Sequence, residues 1–479
     1  MPVFKVNARR ELGNVVMRKN LRFATHTIRQ KRYTRIDEVG ESRWQQLRTA
    51  AEQIKNRVGR HLDTYLEDVE KKFTEKGVTV HWARDAAEAN QIIVSLVKAK
   101  GVHEVVKIKS MVTQEIDMNE ALEAADIAAW ETDLAEIIVQ LGHDRPSHIL
   151  VPAIHRNREE VREIFLKEMK LYGKPAPEDL SNDPPALADA SRQHLREKFL
   201  RAEVGISGGN FIVAETGSLV IVESEGNGRM CLTLPKTLIS VVGIEKIVPT
   251  FQDLEVFLQL LPRSSTAERM NPYTSLWSGI TEGDGPQEMH LVLVDNGRTK
   301  VLADPLGREA LRCIRCSACL NICPVYERVS GHAYGSVYPG PIGIALTPQL
   351  RGIDHPIDKS LPFACSLCFA CADACPVKIP LPDIIVAQRH RVAEKKQASK
   401  RPHIETTAVA AMNWFWKDAK HWELALKAGS LGGKAMDAIK MRKIGPLPYP
   451  MSTWTNARDV PAPPTQSFRD WWRQERGEQ

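Results

Sequence analysis

Eight of the chain's nine cysteines fall into two copies of one spacing, and that repeat constrains the fold more than any other feature. Cys313, Cys316, Cys319 and Cys323 run into Pro324; Cys365, Cys368, Cys371 and Cys375 run into Pro376. Three thiolates from one tight turn and a fourth in a Cys-Pro pair form the donor set a polypeptide offers to a [4Fe–4S] cluster. In two-cluster ferredoxins the Cys before proline serves the other cluster. The expected ligands are therefore Cys313, Cys316, Cys319 and Cys375 for one cluster, and Cys365, Cys368, Cys371 and Cys323 for the second. Crossing the ligands would tie the motifs together and keep the clusters near one another, as an electron relay requires.

Other uses of eight cysteines fit less well. Disulfide frameworks belong to oxidising compartments and small chains, and no secretory apolar segment is visible. All-cysteine zinc sites usually offer separated CxxC pairs rather than triplets closed by Cys-Pro. Each proline lacks an N–H and fixes its own φ, which turns the chain away from the cluster. The flanking Ile314, Leu320, Ile322, Val325, Leu367, Phe369, Val377 and Ile379 are apolar and would keep water off the sulfurs. Cys231 stands alone and reads as a buried small hydrophobe.

A chain of 479 residues exceeds one ordinary core, so two or three domains are expected. Hydrophobic content of 43% and charged content of 26% are those of a soluble globular protein, and no 18-residue apolar run suggests a membrane span. Cysteines that must stay reduced point to a cytoplasm-like compartment, with the inner face of the membrane as a peripheral site. The net charge of +6 is uneven: residues 1–36 hold ten Lys or Arg and one acid, Glu11. Such an arm can touch anionic lipid or an acidic partner, resemble a transit peptide, or lie solvated across the next domain. No aromatic–basic platform or zinc finger accompanies it, so no nucleic acid is expected.

The pattern divides the chain into a basic arm (1–44), an α/β domain (45–300), a dicluster domain (301–391) and a Trp-rich extension (392–479). Trp44, Leu47, Ala51, Ile54, Val58, Leu62, Leu66 and Val69 predict a helix over 41–76, stopped by Gly77. Strands follow at 78–82 and 105–108, separated by a helix over 86–100 capped by Asp85, and an acid-rich helix is predicted over 119–129. Alternation of this kind implies a largely parallel sheet. Further helices are predicted over 158–171, 190–202 and 252–261, a hairpin over 211–223 and a strand over 238–248. Six of ten tryptophans lie after residue 400, beside the proline-rich stretch 445–464. That tail reads equally as a docking element or as a wrap over the protein's own core.

The layout resembles the lactate-utilisation iron–sulfur protein B family over nearly its full length. Residues 313–326 (CIRCSACLNICPVY), 331–343 (GHAYGSVYPGPIG) and 374–380 (ACPVKIP) carry the resemblance most strongly. Residues 109–112 (KSMV), 131–134 (ETDL), 146–149 (PSHI) and 208–217 (GGNFIVAETG) look like the family's first domain. The resemblance implies a sugar-isomerase/CoA-transferase-like α/β fold, then an α-helical two-[4Fe–4S] ferredoxin-type domain and a helical or irregular C-terminal extension. It also implies an electron-transfer subunit of a multi-subunit complex that oxidises L-lactate to pyruvate. The companions would be a paired-cysteine-motif protein and a smaller protein sharing the α/β domain. The isolated chain would then show little turnover, and the electron acceptor is open. Were Cys365 idle, the second cluster would be a [3Fe–4S] form. The alternatives are a subunit of another 2-hydroxy-acid dehydrogenase, such as glycolate oxidase, and a redox-sensitive ligand-binding scaffold.

A hydroxy acid needs a cation for its carboxylate and a base for its hydroxyl proton. Between the cysteine motifs, His332, Tyr334 and Tyr338 are candidates, His332 as base, with Arg328 or Arg351 as anchor; aromatic cover over the clusters explains the same residues. In the α/β domain Lys109 and Ser110 end a strand, where open sheets place ligands. Glu131, Asp133, His148, His155, Glu215 and Thr216 are candidates for the same crevice, or ordinary caps and turns. Residues 207–210 offer backbone N–H groups that can cradle an anion, or make a tight turn. No GxGxxG fingerprint marks a nucleotide cofactor.

Overall fold

Short β-branched runs alternating with amphipathic helices build the sheet that positions everything else. The computed structural model describes residues 3–398, 404–448 and 451–476, which form two compact units, 1–390 and 391–479. The strands of the first unit are β1 (Thr79–Ala83), β2 (Glu104–Lys107), β3 (Ala128–Glu131), β4 (Val204–Ser207), β5 (Phe211–Val213), β6 (Ser218–Glu223), β7 (Thr237–Gly243), β8 (Ile247–Val248), β9 (Tyr273–Trp277) and β10 (Glu288–Val294). Six of them form one sheet, ordered β1-β10-β7-β4-β2-β3 and parallel throughout.

Successive side chains of a strand point to opposite faces, and a parallel sheet buries both. Leu238, Val242, Leu291 and Leu293 pack on one side with Ile137, Phe165 and Phe199 from helices Leu134–Leu141, Arg158–Glu168 and Pro184–Arg201. Ile239, Val241, Val292 and Val294 pack on the other with Ile93 and Leu122 from helices Ala86–Lys98 and Met118–Glu123. The remaining strands make a second sheet, β8-β5-β6-β9, in which β6 is antiparallel to both neighbours. Gly208 and Gly209 carry the chain from β4 into it. A Cβ on Gly209 would stand 2.6 Å from Leu219 Cδ1, so the crossing needs a residue without one.

Three expectations change. The helix expected over 119–129 stops at Glu123, because Asp126 takes a left-handed φ of 61° and Ile127 N–H closes back onto Leu122 O. Ala128–Glu131 is then free to pair with β2. The strand expected over 238–248 is β7 and β8, split by the turn Ile244–Lys246 and shared between the two sheets. The helix over 41–76 breaks at His61 into Glu41–Arg60 and Leu62–Thr74.

The basic arm is two helices, Val3–Leu12 and Val15–Val39, the second capped by Asn14, whose side chain accepts the Met17 N–H. Met17, Leu21 and Ile36 share one core with Trp44, Phe257 and the buried cysteines. Its charge has a local use: Arg32 donates to Ala374 O at 2.8 Å, and Arg48, on the next helix, to Cys375 O at 2.9 Å and Ala372 O at 3.1 Å. These guanidiniums supply a donor to Ala374 O and second donors to Ala372 O and Cys375 O, which also accept Cys375 and Lys378 N–H, where helix Ala370–Ala374 ends.

The second unit contains helices Ile404–Trp416, Ala419–Ala438 and Phe468–Arg476 and a short ribbon pairing Lys443–Ile444 with Val460–Pro461. Trp414, Trp416, Trp471 and Trp472 are exposed. Residues 449–450 of the proline-rich stretch lie outside the described residues. Among the described residues, no helix is long and apolar enough to cross a membrane.

Candidate metal centre and adjoining cavity

Both cysteine motifs fold the same way. The turn Gly307–Arg312 delivers Cys313, and helix Ala318–Asn321 follows; the turn Leu361–Phe363 precedes Cys365, and helix Ala370–Ala374 follows. Matching positions take left-handed backbone: Arg315 and Ser317 in the first motif (φ 61° and 65°), Leu367 and Phe369 in the second (55° and 65°). A side chain in that region costs about 1–2 kcal/mol, so four such residues mark a conformation imposed by what the turns enclose. The conformation aims amides at sulfur. Arg315 N–H faces Cys313 Sγ at 3.4 Å and Leu367 N–H faces Cys365 Sγ at 3.3 Å. Tyr326 and Ile379 N–H do the same for Cys323 and Cys375.

The sulfurs gather across the motifs. Cys313, Cys316, Cys319 and Cys375 line one small cavity, walled by Ile342, Val377 and Ile379. Cys323 lies instead within electrostatic reach of Cys365 and Cys368, and Cys371 within reach of all three and also of Cys319 in the first seat. Burial pushes the Cys316 and Cys371 thiols up to about 12, reinforced by neighbouring sulfurs. Cys323 and Cys375 rise to about 11, again chiefly through burial. Buried, crowded thiols resist ionising alone, and cationic iron would supply the compensating charge. All eight are free. The donor set thus fits two four-sulfur cluster seats. The second is nearer the surface: Cys368 is exposed, as are Phe363 and Phe369 beside it. Cys231 is fully buried far along the chain in helix Asn227–Thr233, with Thr132 Oγ1 at 3.3 Å.

The insert between the motifs covers the sulfurs. Tyr334 is completely buried, stacked near Phe4 and Tyr326 and close to Cys323. Tyr338 donates its hydroxyl to Glu115. His332 is held through Nε2 to Arg145 O at 2.7 Å, its ring 4.6 Å from His155. His155 bridges Ser147 Oγ (2.8 Å) and Asp144 (2.7 Å), and Arg156 also pairs with Asp144. That network satisfies its own members. Arg351 pairs with Asp358, and Arg328 is exposed. None of these residues lines the larger cavity described next.

That cavity, of about 310 Å³, opens at the C-terminal ends of β2, β3 and β4. It brings together Lys109, Ser110, Asp133 and Gly208–Asn210 as anticipated, and adds Glu225, Lys246, Thr266, Asn271 and Arg315. Lys109 donates to Ile149 O, and burial lowers its basicity against the pull of Glu136 and Asp133. Asp133 caps helix Leu134–Leu141 by accepting Ala135 and Glu136 N–H. Burial raises it, and lifts Glu225 to about 7. Gly208 is required by space: a Cβ there would stand 2.4 Å from Ser110 Oγ.

The other expected crevice residues sit elsewhere. Glu131 is paired with buried Lys107. His148 accepts Leu150 and Val151 N–H at Nδ1 and faces Asn321 at Nε2; burial depresses it to about 3, so the ring is neutral. Glu215 accepts Phe251 N–H, and Thr216 bonds Ser218 in the hairpin turn. The signal for Arg315 was present: it is the one cation between Cys313 and Cys323, where the second motif carries Leu367. Ile149, Ile314 and Arg315 line both the large cavity and the seat of the first four cysteines.

Comparison with known proteins gives the site its context. Residues 66–294 match the family described as LUD domain, 309–379 the 4Fe-4S dicluster domain and 385–477 Lactate utilisation protein B, C-terminal. Lactate utilization protein B 1 of Bacillus mycoides (strain KBAB4) is 42% identical, covering 96% of this chain and 94% of its own. Lactate utilization protein B of Bacillus subtilis (strain 168) is 40% identical, covering 98% and 95%. A protein of Escherichia coli (strain K12) named as an electron transport protein, YkgF, is 41% identical, covering 99% and 97%.

Proposed function

We propose, for a chain that belongs to the lactate utilisation protein B family, that it carries electrons from the oxidation of L-lactate to pyruvate toward a carrier or the respiratory chain. The chain is an iron–sulfur protein of lactate utilisation with two [4Fe–4S] clusters. When bound, each cluster takes up and gives back one electron. Conversion of a 2-hydroxy acid to its 2-oxo acid releases two protons, which pass to solvent, and two electrons, which two one-electron seats would accept together.

Cys313, Cys316, Cys319 and Cys375 hold the inner cluster, and Cys365, Cys368, Cys371 and Cys323 the outer one. The gathering of sulfurs across the two motifs is the observation that carries this reading. Arg315, Leu367, Tyr326 and Ile379 direct N–H groups at sulfur, which favours the more negative, reduced state. Electrons enter on the inner side, where the α/β cavity shares a wall with the first seat, and leave where Cys368 meets solvent. A paired-cysteine-motif protein and a smaller α/β-domain protein are the companions.

The test is anaerobic mixing of the iron-loaded chain with those companions and L-lactate. Bleaching of the cluster absorbance with matching pyruvate formation is expected. Pyruvate formed at full rate while both clusters stay oxidised, or when the chain is left out, overturns the reading.

A further inference from the structure

Residues 391–479 hold sixteen Lys or Arg against nine Asp or Glu, a formal charge of +7 where the whole chain carries +6. Within that basic unit, helix Phe468–Arg476 has no buried residue. Phe468, Trp471 and Trp472 recur at i, i+3 and i+4 and so share one face. Their rings lie 5.6, 5.8 and 6.3 Å apart and are 68%, 42% and 47% exposed. The arginines occupy the adjoining face. Arg473 donates to Glu423 of helix Ala419–Ala438 at 2.9 Å, Arg469 stands 4.0 Å from the same carboxylate, and the Arg476 guanidinium lies 5.7 Å from the centre of the Trp472 ring. Buried Ser467 fixes the start of the helix by accepting Asp470 N–H at 3.1 Å. Charge thus ties the helix to its neighbour while the three rings face outward, the reverse of an amphipathic helix packed on its own core.

We propose that residues 391–479 dock on an anionic lipid surface, with Phe468, Trp471 and Trp472 entering the boundary between headgroups and acyl chains. Aromatic rings with a polar edge settle at that boundary, and a basic face beside them meets the lipid phosphates. A second element of the unit has the same make-up: Trp414, Phe415 and Trp416 are exposed at the end of helix Ile404–Trp416, and exposed Lys417 and Lys420 follow. Charge composition favours lipid over an acidic protein. Nine of the sixteen cations are lysines, a residue depleted from protein–protein interfaces, whereas a lipid surface attracts lysine and arginine alike. Glu475 shares the aromatic face one turn further on and is exposed; Arg469, Arg473 and Arg476 of the same helix outweigh it. Among the described residues no helix is long and apolar enough to cross a membrane, so the contact is peripheral. The proposal concerns where the chain works rather than what supplies its electrons, and it stands or falls apart from the electron-transfer reading.

The experiment is anaerobic cosedimentation of the iron-loaded full chain with vesicles of equal parts phosphatidylglycerol and phosphatidylcholine, against vesicles of phosphatidylcholine alone, with tryptophan emission read on the same samples. Partition onto the anionic vesicles should be at least about tenfold stronger, since each basic residue near such a surface contributes about fivefold. Emission should shift to the blue as the rings leave water, and raising the salt from about 0.1 to 1 M should release the chain by screening. Trp471→Ser with Trp472→Ser should weaken the partition at least about tenfold, with iron content and far-ultraviolet circular dichroism unchanged. Lys417→Glu with Lys420→Glu, which leaves every ring in place, should weaken it on the anionic vesicles alone. No partition onto anionic vesicles, equal partition onto both kinds, or full partition by a folded, iron-loaded Trp471→Ser/Trp472→Ser chain overturns the proposal. So does a stoichiometric complex with the companion proteins that the tryptophan variant abolishes while vesicles bind neither form, which would assign the face to protein.

Discussion

Replacing Arg298 with alanine should cut the charged tie between the sheet and the cysteine region. Its side chain is 1% exposed. It donates to both oxygens of Glu115 at 2.8 and 3.0 Å, to Glu245 at 2.5 Å and to Asp295 O at 3.0 Å. Glu245 in turn pairs with Arg315 inside the first cysteine turn, and Glu115 accepts from Tyr338 in the insert. Removing one member of a buried ion pair leaves the other charge uncompensated, at about 3–5 kcal/mol. The Glu245 carboxyl gives a second figure. Burial pushes it up, yet Arg298 and then Arg315 bring it from 4.5 down to about 2, which corresponds to roughly 3 kcal/mol. Because the folded value is depressed, this stability is complete above pH 4.5 and fades as pH falls toward 2. With a urea dependence near 3 kcal/mol per molar, the upper end for small proteins, Arg298→Ala should lower the midpoint by about 1–1.7 M at pH 7. Anaerobic urea unfolding of the iron-loaded protein, followed by cluster absorbance and far-ultraviolet circular dichroism, measures it. Both signals should move together. A midpoint shift below about 0.2 M, or cluster loss with the sheet unmoved, would refute the coupling.

Cys231→Ala should keep the full iron and labile sulfide content, since this thiol is buried against Thr132 in the α/β domain; loss of iron on elemental analysis would implicate it as a ligand. Slow exposure to air or chelator should destroy the cluster seated by exposed Cys368 before the inner one, seen as sequential loss of two paramagnetic signals; simultaneous loss contradicts the difference in cover. Gly208→Ala forces a Cβ to within 2.4 Å of Ser110 Oγ, so overpacking should destabilise the chain by about 1–3 kcal/mol; unchanged thermal unfolding would show that the strand end yields freely. Asp133→Ala removes the cap of helix Leu134–Leu141 and should lower stability by about 0.5–2 kcal/mol in thermal unfolding.

The cysteine repeat was legible because cluster ligation is a matter of spacing within one turn, and spacing survives in a linear sequence. The parallel sheet was legible for a similar reason: strand and helix periodicities alternate between residues 78 and 108 before tertiary contacts intervene. Periodicity failed where a single residue decides. Asp126 in left-handed backbone ends a helix whose pattern runs on, and β7 leaves its sheet at a three-residue turn where Glu245 and Lys246 interrupt a mostly apolar run. The arm's charge was visible but its use was not, since Arg32, like Arg48 on the next helix, meets carbonyls more than 300 residues away in sequence. The cavity was half legible. Strand ends pointed to Lys109, Ser110 and Asp133, whereas Lys246, Thr266, Asn271 and Arg315 arrive from a turn, a helix end, a loop and the cysteine region. His332, Tyr334, His148 and His155 were chosen for their chemistry, and folding placed them in cover and in closed hydrogen-bond networks.

Both cluster seats depend most directly on exchange of ligands between the two motifs. Anaerobic electron paramagnetic resonance of four alanine variants decides it. Cys316→Ala and Cys375→Ala should abolish the same cluster signal, and Cys368→Ala and Cys323→Ala should abolish the other. A Cys375→Ala spectrum that matches Cys368→Ala would mean that each motif fills its own seat, contradicting the arrangement described here.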